Sequence, residues 1–241
     1  MSLSITGISL LLKLIIAHLI TDFLIQTKSQ VNNRFKKAWR SEWLYIHGLI
    51  AGVLAYVFSG YYNVFWILPV FFISHVVIDG IKSTKSDTIK WFTLDQLAHL
   101  LVILGVWYYL INPVIEIANL TSVSQLDVNL LIILIAYILV IWPGGIIIGK
   151  ITENWQEEIA DPEKGLEKAG MWIGRLERFL LLTFVLLQQY QAIGLLVTAK
   201  SIFRFTYRRE MSEYILIGTL LSFSIAILVG LLTIWIINGT L

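Results

Sequence analysis

Six stretches of this chain are apolar for the length a helix needs to cross a bilayer, and that repetition constrains the fold more than any other feature. They cover residues 4–26, 43–60, 63–82, 92–112, 128–149 and 212–237. A hydrocarbon core about 30 Å thick takes ~20 apolar helical residues. Inside it, only helices and closed barrels satisfy every backbone polar group. A barrel would alternate polar and apolar residues over ~10-residue segments, a pattern the sequence lacks. Composition points the same way: 57% of residues are hydrophobic and 14% charged, where a soluble domain carries about 25% charged residues. The expected fold is all-α, a polytopic membrane protein of about six spanning helices.

A further apolar stretch, 174–205, has two readings. If 179–199 crossed fully, Lys200, Arg204, Arg208 and Arg209 would emerge on the face that otherwise carries no cations. A re-entrant or amphipathic hairpin avoids this, turning near "LQQYQAIG" with Gln188, Gln189 and Gln191 at its tip. The organisation expected is a four-helix module over 1–112 and a second half over 113–241. The latter holds a cytoplasmic segment at 150–178, the hairpin at 174–205 and a last helix at 212–237. Pro143, Gly144 and Gly145 inside the fifth run predict a kink. The acidic run "ENWQEEIADPEKGLEK" reads as a solvated, partly helical segment.

Orientation follows from the cations. Segment 28–42 holds Lys28, Arg34, Lys36, Lys37 and Arg40; 82–90 holds Lys82, Lys85 and Lys90; 150–178 holds Lys150, Lys164, Lys168, Arg175 and Arg178. The connections 60–62 and 113–127 hold none. The positive-inside rule then places the basic segments in the cytoplasm and the N-terminus outside. Nothing basic precedes the first run and no small-residue cleavage site follows it, so it reads as a retained helix. The absence of cysteine excludes disulfides, a thiolate nucleophile and a Cys-type zinc site.

The chemistry-bearing residues are unevenly spread. All four histidines lie in the first hundred residues, within "AHLITDFLIQT" (His18, Asp22, Gln26), "WLYIHGL" (His47), "SHVVIDGIK" (His75, Asp79, Lys82) and "LDQLAHL" (Asp95, Gln96, His99). Residues four apart share a helix face, so three helices each present one His–Asp pair. In the first and third runs the His precedes the Asp; in the fourth, which runs the other way, the Asp precedes the His. Antiparallel connectivity therefore gathers all seven groups at one depth, with each Asp nearer the surface.

Ionisable groups within a membrane are costly and face the bundle interior. Imidazole and carboxylate are ligands for zinc, and also for iron or manganese. The expected metal ligands are His18, His47, His75, His99, Asp22, Asp79 and Asp95, with zinc foremost. Asp22, Asp79 and Asp95 are also the candidate catalytic residues, since a carboxylate free of the metal can act as general base. Gln26, Gln96 and Lys82 are candidate cofactor- or substrate-binding groups, with Ser74 and Thr93 beside them. Lys82 also reads as a side chain that snorkels to the headgroups.

The four motifs, in their order over residues 10–110, resemble the bacterial membrane family known as domain of unknown function 3307. "IGRLERFLLL", "AKSIFRF" and "EYILIGTLLSF" in the second half resemble its longer members. The resemblance implies a shared fold and polar cluster and a bacterial inner-membrane location, and it names no reaction. "SHVVID" is also similar to the H-x-x-x-D helix of inner-membrane proteins assigned as metal-dependent hydrolases. Three functions are compatible with these residues. The first is a metal-dependent hydrolase at the cytoplasmic leaflet, acting on a lipid or a lipid-linked phosphate. The second is a transporter or channel for a metal ion or proton. The third is a non-catalytic assembly partner with structural His–Asp pairs. The partners expected are membrane lipids, with no nucleic acid, and a homo-oligomer is compatible. Arg175, Arg178, Lys200 and Arg204 read as headgroup-facing or anchoring cations beside the hairpin.

Overall fold

The structure, a computed structural model, describes residues 5–111, 127–158, 169–202 and 209–239. Every regular element among the described residues is helical, and the protein is a polytopic helical membrane protein. Five helical stretches are long and apolar enough to cross a bilayer: Ile5–Ile25, Glu42–Ser59, Ile89–Ile111, Val128–Trp155 and Ser212–Gly239. The expected span at 63–82 is instead a helix of 17 residues, Ile67–Ser83, because 60–66 form a turn opened by Gly60 in the left-handed conformation (φ 73°). That length lies at the lower end of what spans a bilayer. Residues 113–126, Lys164, Lys168, Arg204 and Arg208 lie outside the described residues.

The described chain divides into two compact units, Met1–Ile135 and Ala136–Leu241. In the first unit, α1 (Ile5–Leu19) runs directly into a π-helical turn, Ile20–Ile25. A short surface helix follows, α2 (Lys28–Lys37), then a 3-10 turn at Ala38–Arg40. Three long helices complete the unit: α3 (Glu42–Ser59), α4 (Ile67–Ser83) and α5 (Ile89–Ile111).

Each helix buries one stripe, and each stripe changes chemistry along its length. In α4 the buried positions Ile67, Phe71, His75 and Asp79 fall every fourth residue. In α5 the order reverses: Asp95, His99, Ile103, Val106, Leu110. In α1, Leu10 and Leu14 precede His18. Antiparallel packing stacks these stripes into layers. Leu10, Leu14, Ala55, Ile67, Phe71, Ile103, Val106 and Leu110 form one apolar cluster. The imidazoles sit beyond it and the carboxylates beyond them. Trp107 Nε1 donates to the Gly7 carbonyl at 2.7 Å and ties α1 to α5 at the apolar end.

α3 and α4 approach closely because Gly48 and Gly52 lie on the shared face. A Cβ at Gly52 would stand 2.7 Å from the Leu68 carbonyl oxygen, and one at Gly48 2.7 Å from Val76 Cγ2. Small residues four apart let membrane helices meet backbone to backbone. Gly80 has a different neighbour: the Trp39 ring of the 3-10 turn occupies the space a Cβ would take.

α6 (Val128–Ile141) starts in the first unit and ends in the second, which also contains α7 (Pro143–Glu158), α8 (Ala169–Leu186), α9 (Tyr190–Ile202) and α10 (Arg209–Gly239). The expected kink is present as a break at Trp142, after which Pro143 opens α7, a position where its missing N–H costs nothing. Arg178 Nη2 donates to the Ile141 carbonyl at 2.9 Å. Gly145 and Gly174 leave room for its guanidinium. Arg175 lies over the Trp142 and Trp172 rings. Ala136, Val140, Leu181, Leu182, Phe223 and Ala226 form the apolar core.

The expected hairpin is α8 and α9. The chain reverses at 187–189, with Gln188 at φ 56°, and Lys200 pairs with Glu177 across the arms at 2.5 Å. Gln191, expected at the tip, belongs to α9 because the turn closes one residue earlier.

Gly52→Ala is expected to lower the thermal unfolding midpoint in detergent, at a cost of about 1–3 kcal/mol, because a backbone carbonyl cannot move aside. Gly105 has no heavy atom near its would-be Cβ, so Gly105→Ala should hold or raise the midpoint, by up to ~1 kcal/mol. Circular dichroism melts of the two variants check the contrast.

Candidate metal centre

The four histidines and three aspartates expected to converge do so. The imidazole layer is tight: ring centroids of His75 and His99 are 4.1 Å apart, His18 and His99 4.9 Å, His18 and His75 5.5 Å, and His47 and His75 5.9 Å. All four rings are buried.

The pairing differs from the one the four-residue spacing implies. Only His18–Asp22 (Nδ1 to Oδ1, 3.8 Å) and His99–Asp95 (Nε2 to Oδ1, 3.6 Å) face each other within a helix. The closer contacts cross between helices. Asp22 Oδ1 is 3.2 Å from His47 Nε2 and 3.6 Å from His75 Nε2. Asp79 Oδ2 lies 3.4 Å from His47 Nε2, and its Oδ1 lies 3.9 Å from His99 Nε2. Asp22 enters from the π turn rather than from a regular α-helix. Such turns concentrate at functional sites because they re-aim side chains within a helix.

Gln96 acts as the connector. Its Nε2 donates to Asp22 Oδ2 and Asp95 Oδ2, both at 3.1 Å, and its Oε1 is 3.3 Å from His18 Nε2. Lys82 does not reach outward to headgroups as its position near a helix end suggested. Its Nζ donates to Asp95 Oδ2 at 2.7 Å, because a carboxylate this buried needs a counter-charge. Ser74 and Thr93 are not drawn in; each hydroxyl bonds a carbonyl of its own helix.

Arg34, counted in the sequence only as an orienting charge, is the residue that reasoning missed. It is 5% exposed. Nη1 donates to Asp79 Oδ2 at 2.6 Å and Nη2 to Gln26 Oε1 at 2.5 Å. α2 carries it there. The helix opens with a capping box in which Thr27 and Gln30 satisfy each other's backbone N–H. Ser41 Oγ donates to Asn33 Oδ1, and Trp39 seats on Gly80, one residue from Asp79. The signal was available as "TKSQ", a capping box directly after the first span.

Three sets of residues place one ligand atom each within 4.8 Å of the others: His18/His75/His99, Asp22/His47/His75 and Asp22/Asp95/His99. The fit to a cation is tested by the atoms left over. His18 Nδ1, both nitrogens of His75, both of His99 and Asp95 Oδ1 are buried without a hydrogen-bond partner. Leaving one such atom unsatisfied costs about 1–3 kcal/mol, and here six crowd one small volume. Nitrogen and oxygen donors without sulfur match zinc, iron or manganese. The domain therefore carries His/Asp groups able to hold a metal ion.

Residues 10–128 match the model of the family described as "Protein of unknown function (DUF3307)". These residues form a DUF3307 domain. No curated protein and no solved structure matches the chain. The whole polar cage, from His18 to His99 and including Arg34 and Lys82, lies inside the DUF3307 domain, whose boundaries run from α1 into the start of α6.

Arg34 and Asp79 are both almost fully buried, and removing one partner of such a pair leaves an uncompensated charge. Arg34→Leu is expected to destabilise the domain by about 3–5 kcal/mol. The double variant Arg34→Leu/Asp79→Leu should recover much of that loss. Unfolding midpoints of the wild type, Arg34→Leu, Asp79→Leu and the double variant in one detergent check the cycle.

Proposed function

We propose that the DUF3307 domain binds one divalent cation between Asp22, His47 and His75 and uses it for hydrolysis at the cytoplasmic leaflet. The observation that supports this set over the others is His47, which belongs to it and also lines a small cleft between the π turn, α2 and α3. A substrate arriving through that cleft meets His47 first, and His47 belongs to this ligand set and to neither of the other two. Zinc is the first candidate, with iron or manganese as alternatives. Two imidazoles and one carboxylate are a ligand set that hydrolytic zinc sites use.

Charge supports a single ion. Metal-ligating imidazoles are neutral. Three carboxylates then face two cations, Arg34 and Lys82, which leaves one negative charge. One divalent ion turns that into one positive charge, which an anionic substrate cancels. A second ion would leave three uncompensated positive charges in a buried cage, a state burial disfavours.

When bound, the ion supplies Lewis acidity and lowers the pKa of water to ~7. The chain supplies the rest. Asp95 keeps Oδ1 free of hydrogen bonds and is the proposed proton acceptor. Asp79, held by Arg34, orients His47 and His99. Gln96 fixes the Asp22 and Asp95 carboxylates relative to each other. The transport reading is less well supported, because the buried stripes beyond the imidazoles are closed by Leu10, Leu14, Phe71 and Ile103.

Elemental analysis of detergent-purified protein is expected to find about one zinc, iron or manganese per chain, lost in His47→Ala and His75→Ala. Absence of stoichiometric metal from protein grown with these ions supplied, or its retention in both variants, would sink the reading. Asp95→Asn should keep the metal and slow hydrolysis of a chromogenic phosphoester by roughly 10²–10⁴-fold.

The leaflet is tested separately. The chain has no cysteine, so Lys36→Cys and Asn63→Cys each give one thiol. A membrane-impermeant maleimide should label position 63 from outside and position 36 only after the cytoplasmic face is exposed.

A further inference from the structure

The cleft that reaches His47 has two unlike walls. Ile25, Trp43, Ile46 and Ile50 line one side, and Gln26, Gln30 and Arg34 the other. Ile25, Trp43 and Ile46 are also substantially exposed at its rim (43%, 39% and 42%), beside a span long enough to cross the bilayer. Arg34 lies at the base, buried, with two of its guanidinium donors committed to Asp79 and Gln26. A guanidinium has five N–H donors in a planar fork, so three remain. Lys28, Lys36 and Lys37 are exposed along α2, the element that forms this wall.

An apolar wall facing a cationic one selects a molecule with both characters. The cleft is small, with room inside for little more than one water, so a compact polar group engages Arg34 from its mouth and an acyl chain stays outside. We propose that the cleft between the π turn, α2 and α3 binds the phosphate head group of an anionic amphiphile through Arg34, Gln26 and Gln30, while its acyl portion lies outside against Ile25, Trp43 and Ile46. Arg suits this task because its fork matches two phosphate oxygens at once. Basic residues near the surface add attraction to anionic lipid. The proposal names the substrate class for the hydrolytic reading above and rests on that reading only for what happens after binding.

The test is calorimetric titration of the full chain in detergent. The probes are dihexanoyl-phosphatidic acid, dihexanoyl-phosphatidylcholine and inorganic phosphate, with metal content measured on the same preparation. Phosphatidic acid is expected to bind saturably at one site, at least about tenfold more tightly than the choline lipid or free phosphate. Trp43→Ala should weaken the phosphatidic acid and leave phosphate binding and metal content unchanged. Arg34→Gln leaves Asp79 unpaired and is at risk of unfolding, so Arg34→Lys is the companion: it keeps the ion pair, loses the fork, and should weaken both anions about tenfold. Equal binding of the two lipids, or phosphate as tight as phosphatidic acid, would overturn the proposal. So would full affinity in both Trp43→Ala and Arg34→Lys. Anion binding without metal would refute the hydrolytic reading alone, and metal without anion binding would refute this one alone.

Discussion

Three carboxylates held within a few ångströms of one another cannot stay charged in a buried site without compensation, and the first unit is arranged around that requirement. Arg34 neutralises Asp79, Lys82 neutralises Asp95, and Asp22 is left with imidazoles and an amide. The asymmetry matters. Two acids are committed to fixed cations, and the third, projecting from a π turn, is the one toward which His18, His47 and His75 all lean. A buried carboxylate with no fixed cation beside it is a position where a bound cation would offset the charge.

The apolar layer and the polar cage depend on each other. Every inward stripe is continuous, so the packing of Leu14, Phe71 and Ile103 sets the positions of His18, His75 and His99 one turn further on. The glycine contacts between α3 and α4 fix where His47 meets His75. The cage is thus carried by rigid helices. Only its outer wall, α2 and the 3-10 turn, is a surface element, pinned by Trp39 on Gly80 and by the Arg34–Asp79 pair. The same pair closes the wall and stands at the base of the cleft.

Much of this was legible beforehand. Alternating chain direction and the switch from His-x-x-x-Asp to Asp-x-x-x-His place seven groups at one end of the bundle without coordinates. Lys82 and Arg34 were misread for one reason. A cation near a helix end in a membrane protein has two destinations, the headgroups or an internal acid, and sequence spacing does not distinguish them. Arg34 lies 45 residues from Asp79, and nothing local records that they meet. The His–Asp pairing was overlooked similarly: four-residue spacing shows which groups share a face, not which neighbour they touch across a helix interface.

The sequence by itself determined the helical membrane fold, the kink at Pro143, the reversal near Gln188 and the leaflet-sized clustering of histidines and aspartates. These follow from periodicity, hydropathy and chain direction, all of which are local properties summed along the chain. Only the tertiary structure decided which carboxylate faces which imidazole, which cations are consumed inside the cage, and that His47 lines a cleft. Those outcomes depend on how α2 folds back over α3 and α4, and that approach is fixed by a glycine, a tryptophan and a buried ion pair drawn from two separate stretches of the chain.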